Sequence, residues 1–522
     1  MKRQQVIPVS ASILLAVLLV GMGLNSGVAS PADWPMYRNN PLHTGVAADV
    51  VLPPLKLKWK QTFGDKIDSS PAIFGSRLYV GSVDKNLYAI DVATGNIIWS
   101  FNDGALTLAW YSSPAVATVG GQTVIFAGND NKNVYAIRDD GATPFLLWKF
   151  ATLGPDVVDS SPVVTTIAGT QVVIVGANDK GLYALVAATG GLYPGWTTNP
   201  FTEVGAGAFE SSPAILGSTV FIGNDNKKLY AVNLGNGVKL WDSAATITDL
   251  VVSSPAIANV AGQDLVFVGA DDSKLYAFDA ASGALKWSQP VGGKIRSSPA
   301  LATIPNPPVA CAPGPILAVV FGSDDGNVFA MRASDGTPCW TFPSTGHAPF
   351  ESSPVVSGQT VYIGSYDDSF YAIDINTGTW QWSFPALDKV GSLFGSSPAV
   401  SGSTVYFGSE DKRLYALEPF IPVATTTLTS TVSTSTTTTV PVTQTSTVTT
   451  TTTTVSTGTT QTETTMTTTT SVSTILTTTW AAVSPPSAIP GFPVESILLG
   501  LVGGLVALTL LGRKRRRQSS PV

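Results

Sequence analysis

The chain has 522 residues, a formal net charge of −6 and only 12% charged residues, against about 25% in ordinary globular domains. Without a basic field, nucleic acid is excluded as a partner, and two Cys with two His exclude a zinc cluster or haem site built from those residue types. Forty-nine Gly and 36 Pro point to short strands joined by many turns, with low-complexity sequence beside them.

Residues 1–29 read as a signal peptide. Met1-Lys2-Arg3 is basic, Ile13–Leu24 is apolar, and Gly27-Val28-Ala29 offers small residues for cleavage after Ala29. An uncleaved anchor is the alternative. Residues 30–54 form an N-terminal extension, and a repeat then occupies residues 55–420. Ser-Ser-Pro begins at Ser69, Ser112, Ser160, Ser211, Ser253, Ser297, Ser352 and Ser396. The spacing runs from 42 to 55 residues and averages about 47. Each tripeptide precedes a β-rich run ending in Gly, an Asp/Asn turn and a second run such as Leu87-Tyr88-Ala89-Ile90; another turn, Thr94-Gly95 in the first unit, leads to a last run carrying Trp99. Such units predict four antiparallel strands, and their recurrence at this period predicts propeller blades around a channel. Pro is tolerated on an unpartnered inner strand, where small Ser residues let eight strands crowd together.

Eight tripeptides predict eight blades in an all-β fold. The eighth unit ends at Leu414-Tyr415-Ala416-Leu417 without a Trp run, whereas Leu55-Lys56-Leu57-Lys58-Trp59 stands alone at the start. This N-terminal strand is therefore expected to complete blade 8 and close the ring. Asp84, Asp179, Asp272, Asp325, Asp367 and Asp411, with Asn131 and Asn226, share one turn position. Repetition of one turn residue in every unit indicates turn geometry rather than ligand binding.

The unit Ser-Ser-Pro…Gly-x-x-Asp-x-x-Leu-Tyr-Ala…Thr-Gly…Trp resembles the PQQ-like repeat of quinoprotein dehydrogenases and of outer-membrane-assembly propeller lipoproteins. Asp33-Trp34-Pro35-Met36-Tyr37-Arg38…His43-Thr44-Gly45 is similar to the segment that often precedes such propellers. The resemblance implies the fold but not the activity, because enzymes and binding modules share it. The dehydrogenases would bring adjacent Cys residues, a Ca²⁺ ligand set and a catalytic Asp. Cys311 and Cys339 are not adjacent, and no position matches the ligands or the base. The expectation is a non-enzyme without PQQ. Cys311 lies in a Pro-rich insertion of blade 6 and Cys339 follows the turn between its third and fourth strands. These connections emerge on one face, so a disulfide is expected in an exported chain, with two free thiols as the alternative. His43 and His347 show no ligand spacing and read as surface or loop residues.

The residue before each tripeptide is placed at the channel rim: Asp68, Tyr111, Asp159, Glu210, Val252, Arg296, Glu351 and Gly395. Four acids face one Arg. Turns between second and third strands, with Asp271, Asp272, Lys274, Asp324, Asp325, Asp367 and Asp368, open on the same face, while Lys227, Lys228 and Lys412 make the field lopsided. Converging carboxylates attract cations. Asp68, Asp159, Glu210, Arg296 and Glu351 are therefore the candidate site, for Ca²⁺ or a basic peptide segment.

Residues 421–490 form a stalk. From Thr425 to Thr479, 40 of 55 residues are Thr or Ser, too polar to fold and suited to O-glycosylation. Residues 491–512 read as a transmembrane or sorting segment, and Arg513-Lys514-Arg515-Arg516-Arg517 within the tail 513–522 marks the cytoplasmic side. Pro490-Gly491-Phe492 resembles the PGF-type sorting signal of archaeal surface proteins, in which a lipid anchor replaces the tail; a plain membrane helix is the alternative. Together these features predict a non-catalytic binding or scaffolding head for a protein or glycan, held outside the cell by a membrane anchor. A surface-layer component and a quinoprotein-type dehydrogenase are the rival readings.

Overall fold

Each Ser-Ser-Pro leads into the innermost strand of a four-strand unit. In blade 1 the strands are Ala72–Phe74, Arg77–Gly81, Leu87–Asp91 and Ile97–Phe101, paired antiparallel in chain order. The computed structural model describes residues 32–104, 108–154, 156–385 and 396–420. The signal peptide, stalk, membrane segment and tail lie outside the described residues. Blades 2 to 7 begin at Ala115, Val163, Ala214, Ala256, Ala300 and Val355. Blade 8 comprises Ala399–Ser401, Thr404–Ser409 and Arg413–Pro419, completed by Leu55–Thr62. That last pairing is antiparallel, from Leu55 opposite Pro419 to Thr62 opposite Arg413. The eight-bladed ring closes on its N-terminal strand.

The aromatic residue and the Ala of each third strand, Tyr-Ala in seven blades and Phe329-Ala330 in blade 6, face opposite neighbouring sheets. Tyr135, Tyr183, Tyr230 and Tyr415 are fully buried, as are Ala136, Ala184, Ala231 and Ala416. Apolar side chains from successive blades interlock, so the core lies between blades rather than within any one of them. Blade 3 departs from the pattern with three strands, Val163–Ile167, Thr170–Gly176 and Leu182–Val186. Its fourth place is held by an irregular segment bridged only at Leu192 and Phe201. Pro194 and Pro200 fall inside that segment, and a residue without an N–H cannot sustain a ladder. Trp196 still docks on blade 4, its indole N–H donating to Leu234 O at 2.8 Å.

The serines supply the cement. The first Ser hydroxyl of every tripeptide accepts the N–H of the Gly ending its blade's second strand, at 3.0–3.4 Å. The second Ser of every blade donates its N–H to the second Ser hydroxyl of the next, at 2.9–3.0 Å. These bonds run unbroken from Ser70→Ser113 to Ser397→Ser70. All sixteen Ser are buried.

The extension 32–54 is built into the ring rather than preceding it. Its carbonyls accept inner-strand N–H groups: Trp34 from Ile73, Pro35 from Val116, Pro41 from Ile215, Leu42 from Ile257, Thr44 from Leu301 and Gly45 from Val356. Val46–Ala47 adds a parallel fifth strand to blade 7. The inner edges of six blades thus find partners for N–H groups that would otherwise be orphaned. The segment crosses one end of the channel and closes it. His43 is 2% exposed, with Nδ1 3.2 Å from Pro255 O, so the surface placement expected for it does not hold; a segment that threads the axis buries even a lone polar side chain. His347 lies in an exposed loop as expected. Cys311 and Cys339 are joined by a disulfide, with Cα atoms 4.9 Å apart.

Candidate functional site

The end of the channel opposite the N-terminal segment is the mouth. Five residues separate a mouth position such as Asp68 from the plug contact at Ile73, about 16 Å along an extended strand. Two positions per blade build this mouth. One is the residue before Ser-Ser-Pro. The other is the second residue after the Gly that ends the second strand: Val83, Asp130, Asn178, Asp225, Asp271, Asp324, Tyr366 and Glu410.

All five candidate residues sit in this mouth, and contacts between the two positions link them. Arg296 pairs with Asp271 at 3.0 Å and with Glu351 at 3.6 Å, while Lys294 reaches Asp271 at 2.8 Å. Tyr366 donates its hydroxyl to Glu351 at 2.5 Å. Asn178 donates to Asp159 at 2.9 Å. Lys66 bridges Asp68 at 2.8 Å and Glu410 at 3.3 Å and lies 5.7 Å over the Tyr111 ring. Glu210 pairs with no cation among the described residues; burial, then Asp225 and Asp159, raise its pKa and Arg296 lowers it. Gly395 lies outside the described residues.

The turn acids divide into two groups. Asp271 and Asp324 face the mouth. Asp272 and Asp367 instead accept the hydroxyls of Tyr276 and Tyr371, and Asp325 caps the N–H groups of Gly292 and Asn327 at 2.8 and 3.0 Å. Asp84, Asp179 and Asp411 likewise accept Tyr hydroxyls of their own blades. These contacts fix turns.

Crowding shows in the ionisation. Burial first, then the Asp159 carboxylate, pushes Asp130 up to about 7. Burial and the charges of Asp225 and Asp159 push Glu210 up to about 7, and burial with Glu351 takes Asp324 up to about 6. Asp68, Asp159, Asp225 and Glu410 are raised mainly by burial. Asp271 behaves oppositely: burial would raise it, but Arg296 and Lys294 hold it below the usual carboxylate range. One oxygen each of Asp68, Asp130, Asp225 and Asp324 is buried without a hydrogen-bond partner among the described residues. Carboxylates therefore outnumber Lys66, Lys294 and Arg296, and several lack a counter-charge. They are spread around the rim, and no three metal-ligating side chains among the described residues are grouped to hold one ion.

Asp130, Asp225 and Glu410 escape the sequence reading. Their position is acidic in five blades, of which the sequence reading took up only Asp271 and Asp324, and holds Val83, Asn178 and Tyr366 in the others; its fixed offset after the Gly of the second strand is the signal that locates it.

Comparison with known proteins bears on the whole ring. A family model described as outer membrane protein assembly factor BamB matches residues 55–145, 140–310 and 300–483. Among solved structures, BamB from Moraxella catarrhalis aligns with a TM-score of 0.52 at 15% identity, covering 70% of this chain and 98% of that one. A europium-containing methanol dehydrogenase aligns with a TM-score of 0.57 at 16% identity, covering 74% and 98%. These likenesses concern the fold. Quinohemoprotein alcohol dehydrogenase ADH IIB of Pseudomonas putida is 29% identical over 103 residues, spanning 19% of this chain and 15% of that relative.

Proposed function

Given that the chain belongs to the PQQ-like repeat family described as outer membrane protein assembly factor BamB, we propose that its propeller is a non-catalytic binding head. Its mouth takes a cationic segment of a partner protein. The observation that carries this reading is the mouth itself: carboxylates held near one another above a plugged channel, four of them with a buried oxygen that has no hydrogen-bond partner among the described residues. Desolvated acceptors of this kind cost free energy until a donor arrives. Because the acids are spaced around a ring, a ligand with several charges along its length matches them better than a single ion does. The basic and apolar start of the chain, the Thr/Ser-rich segment, the apolar run near the end and the basic residues after it support a reading in which the head is displayed outside the membrane.

Isothermal calorimetry of the full chain with a Lys-rich peptide, and separately with Ca²⁺, tests the reading. At pH 8 and low salt the peptide binds, and its affinity falls as salt rises. The variant Asp68→Asn, Glu210→Gln, Glu351→Gln binds at least tenfold more weakly. Equal or absent peptide binding in both proteins removes the proposal. Binding of Ca²⁺ alone, lost in the variant, would replace the peptide with a hard cation as the ligand.

A further inference from the structure

A repeated blade supplies its own control, and the joint between blades 1 and 2 departs from it. Asp139 lies four residues after Tyr135, an offset that holds an apolar residue in the other seven blades, from Val92 to Pro419. Arg77 stands four residues before the Gly of its second strand, where the other blades carry Val, Thr, Leu or Ala. Each charge thus occurs in one blade alone, and the two meet across the joint, where Arg77 Nη1 donates to Asp139. Asp139 also accepts the Tyr79 hydroxyl at 2.6 Å, the Trp99 indole N–H at 3.1 Å and the Gly141 N–H at 3.0 Å. Burial would raise this carboxyl, but its donors hold it below the usual carboxylate range. The pair is therefore ionised and sums to no net charge.

A cavity of about 360 Å³ opens beside this pair, lined by Phe74, Ser76 and Arg77 of blade 1 and by Thr123 and Asp139 of blade 2. Small-ligand pockets span about 300–1,000 Å³. The first hairpin of blade 1 is tied to the N-terminal segment, its Gly75 N–H donating to Asp33 at 2.7 Å, so the cavity lies at the plugged end of the ring. The Asp139 side chain is 3% exposed and that of Arg77 24%. The carboxylate is thus a buried clamp, and the guanidinium it fixes is the polar group open to the cavity. The half-buried Phe74 adds an apolar ring. Ser76 and Thr123 add hydroxyls.

These walls select a ligand by chemistry. An anion gains little from a guanidinium that a contacting carboxylate already neutralises. A hydroxyl both donates and accepts, so it suits the clamped N–H fork of Arg77 as well as Ser76 and Thr123. C–H groups sit well on the negative face of an aromatic ring, which Phe74 provides. We infer that the cavity between blades 1 and 2 is a binding site for a neutral sugar ring of monosaccharide size. Arg77 and the two hydroxyls hold its hydroxyl groups, and Phe74 covers its C–H face. The inference is independent of what binds at the mouth, which lies at the other end of the ring.

Saturation-transfer NMR on the full chain tests it, because the method reads weak binding. The probes are the methyl glycosides of glucose, galactose and mannose, with glucuronate and inorganic phosphate beside them. At least one methyl glycoside is expected to receive saturation, and the two anions are not. Ser76→Trp fills the exposed side of the cavity without touching the ion pair, and it is expected to abolish the transfer at an unchanged Tm. Arg77→Met should weaken binding at least tenfold, and Arg77→Lys, which keeps the charge but loses the fork, should weaken it less. Arg77→Met strands a buried carboxylate; should it fail to fold, Ser76→Trp decides. No transfer to any of the three glycosides, or transfer that survives Ser76→Trp, would overturn the inference. Binding of glucuronate or phosphate alone would overturn it too, by showing an anion site.

Discussion

Asp130 shows what the mouth costs at the scale of one residue. Unfolded, its carboxyl would titrate near 4; folded, burial and Asp159 push it up to about 7. The native state therefore holds a proton that the unfolded chain has lost. The stability contributed by the protonated form is complete below pH 4 and gone above pH 7. Asp159 of the next blade and the Tyr111 ring of its own blade are the groups that face this side. Asp130→Asn removes the titration. It is expected to melt like the wild type at pH 4 and to be more stable at pH 8, by about 1 kcal/mol once solvent screening of a half-exposed group is allowed for. Calorimetric melts at the two pH values check this, and a gain of equal size at both would show that charge is not the cause. Asp271 has the opposite sign, because Arg296 and Lys294 depress it; its contribution is present at neutral pH and is lost on acidification.

At the scale of the element, the joint between blades explains the Gly turn and the Trp that recur toward the end of the units. Trp241 of blade 4 donates its indole N–H to Ala280 O of blade 5 at 3.1 Å. Its ring lies against Gly283, where an added Cβ would come within 2.6 Å. Trp59, Trp196, Trp287 and Trp340 repeat the indole bond onto the next blade at 2.8–3.0 Å. At the joint of blades 1 and 2 a carboxylate substitutes: Asp139 accepts from Arg77, from the Tyr79 hydroxyl and from the Trp99 indole. Gly283 (φ +71°) and Gly262 (φ +87°) are both left-handed, but nothing lies within 4 Å of a Cβ at Gly262. Ala at Gly262 pays only backbone strain, about 1 kcal/mol. Ala at Gly283 must also displace the Trp, for a total of about 2–4 kcal/mol. Urea unfolding of the two variants should separate them by at least 1 kcal/mol, and equal midpoints would mean that the Trp–Gly contact does not hold the blades. Both residue types were visible in the repeat, but their contact was not, because it joins one unit to the next rather than lying within either.

For the molecule as a whole, what repeats was legible and what occurs once was not. Eight tripeptides, one missing outer run and one spare N-terminal run sufficed to count the blades and name the closing strand. Tyr37, Arg38 and His43 occur once and carry no period, so nothing in the sequence placed them inside the channel. The repeat predicts four strands for blade 3 as for every unit, and Pro194 and Pro200, which the repeat pattern does not take into account, leave its fourth place without a ladder. In the mouth, the position before Ser-Ser-Pro was found because an invariant tripeptide flags it; the second position varies from Val to Glu and was found only in part.

The ring itself gives the last test. Two devices close it: the Leu55–Thr62 strand on Arg413–Pro419, and the serine bonds from Ser396 and Ser397 to Ser69 and Ser70 at 3.0 Å. The strand also carries Trp59, 8% exposed and bonded to Val92 O of blade 1 at 3.0 Å. Deleting Leu55–Thr62 leaves the serine bonds in place but strips blade 8 to three strands, exposes the edge of Arg413–Pro419 and removes the indole joint. A few neutral hydrogen bonds, each worth about 1 kcal/mol net, cannot offset a lost Trp at about 3–5 kcal/mol together with a strand's ladder. The deletion variant is therefore expected to lose its cooperative thermal transition and to aggregate through the open edge. Calorimetry with parallel light scattering reads both effects. A variant that melts cooperatively within a few degrees of the intact chain would assign closure to the serine ring alone.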